Sequence, residues 1–133
     1  MSKKYKPEIF RSPFGHLEYT LVRDSKDCKQ IGLSKTQTKD ILAVPNNADA
    51  TANFVYSNDD EDLNIVVYLP RSNLEPIFQQ SLIVHEAVHI WQQIKIMMAE
   101  KEPSLEFEAY SIQRIAEDLL YLLELSNVEK PTN

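Results

Sequence analysis

The spacing of apolar positions changes near the middle of the chain. Before Pro70, short runs rich in β-branched and aromatic residues alternate with polar segments, which is typical of strands joined by turns. After Pro76, apolar side chains recur every three or four residues, and no Gly or Pro interrupts the sequence until Pro103. That spacing is typical of a helix with one apolar face. The front of the chain is therefore expected to be β-rich and the back to be helical.

Three segments of the front half are predicted strands, and a polar, acidic loop at 57–62 joins the last two into a β-hairpin. Residues 1–14 carry two prolines and are expected to form an irregular arm. A short helix could open at Ser34, which is a good N-cap residue. The predicted strands are 15–23, 52–56 and 63–69.

Two long helices are predicted in the back half. The first begins at Pro76, because proline is well tolerated in the first turn of a helix, and runs to about residue 101. The second follows Ser104 as its N-cap and ends near residue 127. We expect one α+β domain over residues 1–133, in which a small antiparallel β-sheet packs on two long helices. Its parts are an arm (1–14), a β-rich part (15–70), a two-helix part (76–127) and a tail (128–133).

Composition narrows the classes of function. The 133 residues and 15.4 kDa match a single domain. The formal net charge of −6 disfavours binding to a phosphate backbone, so no nucleic-acid partner is expected. The single cysteine, Cys28, excludes a cysteine-based zinc site within one chain. No apolar run resembles a secretory signal or a membrane span, so we expect a cytoplasmic protein without a membrane partner.

The first predicted helix carries the motif His85-Glu86-Ala87-Val88-His89, which has the pattern H-E-x-x-H. Residues four apart lie on one face of a helix, so both imidazoles can reach one zinc ion at about 2.0–2.1 Å. Glu86 projects about 100° from His85 and is the candidate catalytic base, which takes a proton from water that zinc has made acidic. Because apolar residues surround the motif, we expect the two histidines to be buried.

A hydrolytic zinc site needs a third protein ligand and one open position. The remaining histidine, His16, lies far upstream, so we expect the third ligand to be a carboxylate of the second helix. Glu106 and Glu108 are the candidates. At about 100° per residue, Glu108 falls in the apolar stripe of that helix and Glu106 on the opposite side. The periodicity alone therefore favours Glu108.

H-E-x-x-H on one helix, followed by E-x-x-A on the next, resembles the gluzincin metallopeptidases, and the residues around the motif resemble small phage or bacterial zinc peptidases. The resemblance covers roughly residues 63–125. It implies that Glu106 is the third ligand and Ala109 the small residue after it, with Glu108 as the alternative. Tyr110 stands where the family often has Asp, and is a candidate for supporting a ligand or stabilising the oxyanion. It also implies that segment 63–69 is an edge strand lining the substrate cleft.

The resemblance thus implies a zincin-like fold and a zinc-dependent metallopeptidase that acts on a peptide or protein substrate. His85, His89 and Glu106 would hold Zn²⁺, and Glu86 would activate water. Narrow specificity is expected, because a chain of 133 residues has no room for a second lobe to wall the cleft. The alternative is a non-catalytic zincin-like protein of a phage or mobile element, with a structural or partner-binding role. The sequence assigns no oligomeric state.

Overall fold

The computed structural model describes residues 4–12, 17–43, 51–56 and 63–128. Within them the chain forms four strands and four helices, so the α+β class is confirmed. The strands are β1 (Phe10–Arg11), β2 (Leu17–Val22), β3 (Thr51–Tyr56) and β4 (Leu63–Tyr68). The helices are α1 (Ser25–Gln30), α2 (Lys35–Leu42), α3 (Pro76–Met97) and α4 (Leu105–Val128).

The strands form one mixed sheet in the order β1-β2-β4-β3. β1 pairs with β2 and β3 with β4 in antiparallel fashion, so the predicted pairing of segments 52–56 and 63–69 is confirmed. The prediction of a wholly antiparallel sheet is wrong, because β2 and β4 run parallel. Parallel neighbours need a long crossover connection, and here α1, α2 and β3 lie between the two strands in the chain.

The position of β4 also corrects an expectation. β4 lies between β2 and β3, whereas the resemblance implied that segment 63–69 would be an edge strand. Among the described strands, β3 is the edge on that side of the sheet, and α3 contacts it. The edge strand that contacts α3 is therefore β3, Thr51–Tyr56.

The helices begin where local side-chain chemistry predicts. Pro76 is the first residue of α3. Ser34 and Gln37 form a capping box at the start of α2, and the Ser104 hydroxyl accepts from the Phe107 N–H at 3.2 Å at the start of α4. The short α1, capped by Asp24, was not predicted. None of the described helices is long and apolar enough to cross a membrane.

The core lies where the sheet meets one face of α3 and α4. Ile83 and Ile90 of α3, Leu119 of α4, and Leu21 and Val67 of the sheet are fully buried in it. Burying an aliphatic side chain of this size stabilises a protein by about 1.5–3 kcal/mol. The two long helices are therefore held to the sheet by their shared apolar faces.

The N-terminal arm is more ordered than the sequence suggested. Tyr5 is buried in the core, and its hydroxyl donates to the Leu21 carbonyl at 2.7 Å. The Thr20 hydroxyl donates to the Glu8 carbonyl at 2.7 Å, and Phe10–Arg11 form β1. The described part of the arm, residues 4–12, is therefore packed on the sheet.

Arg23 fixes the end of α4 to the sheet. Its side chain is only 2% exposed, and its Nε donates to the Leu69 carbonyl at 2.6 Å. Nη1 donates to Ser126 Oγ at 2.6 Å and to Asn127 Oδ1 at 2.9 Å. Burial, together with the neighbouring Arg71, lowers the pKa of Arg23 to about 10, so the side chain stays charged at neutral pH.

Candidate metal centre

His85 and His89 face each other on α3. Their Nε2 atoms lie 3.0 Å apart, and the two rings meet edge to face with centroids 4.6 Å apart. Two nitrogens bound tetrahedrally to one zinc ion at about 2.0–2.1 Å would lie about 3.4 Å apart. The pair needs to open by only a few tenths of an ångström, so its donor atoms and spacing fit one shared zinc ion.

The expected burial of the two histidines is wrong, because both are exposed. Each one follows a fully buried residue, Ile83 or Ala87, by two positions and so projects about 200° away from the core. The apolar neighbours that suggested burial do not enclose the pair, since Val84 is itself 42% exposed. The pair therefore lies at the protein surface, open to solvent and to ligands.

Glu86 is the buried member of the motif. Its side chain is 6% exposed, and within the described residues it has no hydrogen-bond or ion-pair partner. Burial raises the pKa of its carboxyl group, against the opposing effect of His85 and His89. A carboxylate with a raised pKa is a better proton acceptor near neutral pH, which is the property that a general base needs.

Gln92 lies next to the histidine pair and contacts His89, which the sequence did not predict. His89 Nδ1 and Gln92 Oε1 are 2.9 Å apart, within hydrogen-bonding distance. Gln92 follows His89 by three positions, and residues at that spacing are neighbours on a helix surface. This spacing is visible in the sequence, although it shows neither that the amide turns towards the imidazole nor which atom it presents.

Glu108 contacts α3 on a different side from the histidines. Its Oε2 accepts from Trp91 Nε1 at 2.8 Å and lies 3.7 Å from Lys95 Nζ. This agrees with the expectation that Glu108 lies on the side of α4 that faces the core. However, Trp91 follows His89 by two residues and projects about 200° from it. Glu108 is therefore held on nearly the opposite side of α3 from His89.

Glu106 is exposed, as its place opposite the apolar stripe predicts. In the part of the chain that the structure describes, no three His, Cys, Asp or Glu side chains are grouped so that they could hold a metal ion. The structure thus brings together His85 and His89, with Glu86 beside them. It does not bring Glu106 or Glu108 to the pair.

Tyr110 lines a surface groove that does not include the histidine pair. It is 66% exposed, and the groove of about 500 Å³ that it lines on α4 includes neither histidine. A groove of about 1030 Å³, between the start of α3 and the second half of α4, also excludes them. The other residues lining the Tyr110 groove are Gln113, Arg114, Glu117 and Asp118.

Comparison of the chain with family models, with curated proteins and with solved structures gives no match.

Proposed function

We propose that this protein is a zinc-dependent metallopeptidase of narrow specificity, acting on a peptide or protein substrate. The observation that carries the proposal is the 3.0 Å separation of His85 Nε2 and His89 Nε2 on one helix. Imidazole nitrogens are preferred ligands of zinc, and these two converge without any change in the helix. The buried Glu86 between them adds the base that a hydrolase requires.

The proposed ligands are His85, His89 and Glu106. Glu106 is favoured over Glu108 because Glu108 already accepts from Trp91 and lies near Lys95, and both contacts would be lost if it moved to a metal. Zinc, when bound, supplies Lewis acidity to water and to the scissile carbonyl group. Tyr110 stays a candidate for a supporting role at the oxyanion, although its groove does not include the histidines.

Glu86 is the proposed catalytic residue. Its carboxylate accepts a proton from the attacking water and returns it to the nitrogen of the leaving amine. Burial supports this role, because it raises the pKa of the carboxyl group.

A second function is favoured by the exposure of both histidines and by the lack of a third ligand among the described residues. In this alternative the protein is a non-catalytic, zincin-like structural or partner-binding protein that holds zinc without hydrolysis. Glu86 opposes it, because a structural zinc site has no need for a base beside its ligands.

The test combines metal analysis with one substitution. Purified protein is analysed for zinc, and wild type and Glu86→Gln are compared on a mixture of peptides and denatured proteins. We expect one zinc per chain in both proteins and cleavage by the wild type alone. Glu100→Gln, an exposed residue after α3, is the matched control and should cleave as the wild type does. Zinc without cleavage would favour the partner-binding function, and no zinc would refute both.

A further inference from the structure

We infer that Gln92 is a positioning residue, which holds His89 in the tautomer that leaves Nε2 free to bind a metal. The inference rests on the proposed zinc-binding function of His85 and His89. Its structural basis is the 2.9 Å contact between His89 Nδ1 and Gln92 Oε1. No resemblance or motif assigns a role to Gln92.

The direction of the hydrogen bond decides the tautomer. An amide oxygen can only accept, so the contact requires that His89 Nδ1 carries the proton. In a neutral imidazole the other nitrogen, Nε2, then has a free lone pair. That atom is the one 3.0 Å from His85 Nε2, where a shared ligand would bind. Without a metal, His85 Nε2–H can donate to the same lone pair, which keeps the two rings turned towards each other.

The three residues have a fixed backbone arrangement. They stand at spacings of four and three residues on one continuous helix, α3, so their backbones are fixed relative to one another. Hydrogen bonds to the second nitrogen of a ligating histidine commonly fix the orientation of its ring, and their loss weakens metal binding by about 10–100-fold. Gln92 is placed to act in this way on His89.

The test uses Gln92→Met, which keeps the length of the side chain and removes the acceptor. Gln80→Met, the same change at an exposed site nearer the start of α3, is the control. Gln92→Glu is the rescue variant, because its carboxylate restores the acceptor. The readouts are the His89 tautomer in the metal-free protein, from nitrogen NMR shifts, and the zinc dissociation constant, from competition with a chelator.

We expect the Nδ1–H tautomer in the wild type and a shift towards Nε2–H in Gln92→Met. Zinc binding should weaken about tenfold in Gln92→Met and stay near the wild-type value in Gln92→Glu and Gln80→Met. An unchanged tautomer and dissociation constant in Gln92→Met would overturn the inference and leave the zinc site intact. If the wild type binds no zinc, the proposed function fails, and the tautomer shift still decides the role of Gln92.

Discussion

Trp91 donates its indole N–H to Glu108 across the contact between α3 and α4, with Nε1 and Oε2 2.8 Å apart. The Trp91 ring also meets the Phe107 ring edge to face, with centroids 5.7 Å apart. These contacts fix the first turn of α4 against α3, on the side away from His89. The carboxylate that periodicity favoured as a zinc ligand is thus engaged in holding the two helices together.

Removing this carboxylate should destabilise the protein. We expect Glu108→Ala to lower the free energy of unfolding by about 1.5–3 kcal/mol, because it leaves the buried Trp91 N–H without its charged acceptor. The measurement is chemical denaturation followed by circular dichroism. Glu106→Ala, two residues earlier and exposed, is the control and should change the stability by less than about 0.5 kcal/mol. Equal losses in the two variants would contradict the structural role of Glu108.

Substitution of Glu106 should weaken zinc binding more than substitution of Glu108, the reverse of their effects on stability. Glu106→Gln is expected to weaken zinc binding by at least about tenfold, because it removes an anionic ligand. Glu108→Gln keeps an oxygen that can accept from Trp91, and should bind zinc as the wild type does. Titration with a chromophoric chelator measures both. A loss confined to Glu108→Gln would identify Glu108 as the ligand and mean that its contact with Trp91 breaks when zinc binds.

Asp27 should make stability depend on pH. Its side chain is 3% exposed, and burial raises the pKa of its carboxyl group above 3.8 although Oδ2 accepts from the Arg23 N–H at 2.8 Å. The folded state then binds the proton more tightly than the unfolded state does. The stability from this group is fully present below pH 3.8 and is lost as the pH rises through the raised folded-state pKa.

The substitution that checks this is Asp27→Asn, which keeps an oxygen to accept from Arg23 N–H and cannot ionise. We expect its unfolding free energy to match the wild type below pH 3.8 and to exceed it as the pH rises through the raised folded-state pKa. Asp40→Asn, at an exposed residue of α2, is the control and should show no such trend. A wild-type advantage that grows with pH would mean that ionised Asp27 is stabilised in the fold.

Arg23 should tolerate no other cation. We expect Arg23→Lys to lower the unfolding free energy by about 2–4 kcal/mol. The planar guanidinium donates to the Leu69 carbonyl and to Ser126 Oγ from two different nitrogens, and a single ammonium group cannot reproduce that geometry. Arg114→Lys on the exposed side of α4 is the matched control and should be neutral. Thermal unfolding measures both, and an unaltered Tm in Arg23→Lys would mean that the hydrogen bonds of Arg23 contribute little.

Local chemistry made much of the fold predictable. Pro76 and Ser104 mark the helix starts because their effects depend only on the adjacent turn. The hairpin of β3 and β4 is also local, since a short polar segment joins two apolar runs. The parallel pairing of β2 with β4 was missed because it joins distant segments, and nothing in either strand specifies its neighbour.

The candidate site was predictable in part for similar reasons. The spacing of His85 and His89 on a helix fixed that they would meet, and the structure bears this out. The prediction that they are buried was wrong because burial depends on which side of α3 meets the sheet. The apolar Val84 and Val88 suggested a buried face, although neither is fully buried. The orientation of the Gln92 amide depends on rotations about its side-chain bonds, which no sequence pattern records.

The parallel pairing of β2 with β4 has a consequence for how the chain is made. The first partners in register, Leu17 and Leu63, are far apart in the sequence, so the ribosome synthesises β2 well before β4. Until β4 emerges, β2 has only the two-residue β1 beside it, so most of its apolar residues are exposed and prone to aggregation. Non-local pairing is also slow, because a long loop must close first. We therefore expect chaperones to bind Leu17–Val22 while the chain is being synthesised. Helices α3 and α4 follow one another in the chain and pack together, so their contact does not have to wait for a distant segment.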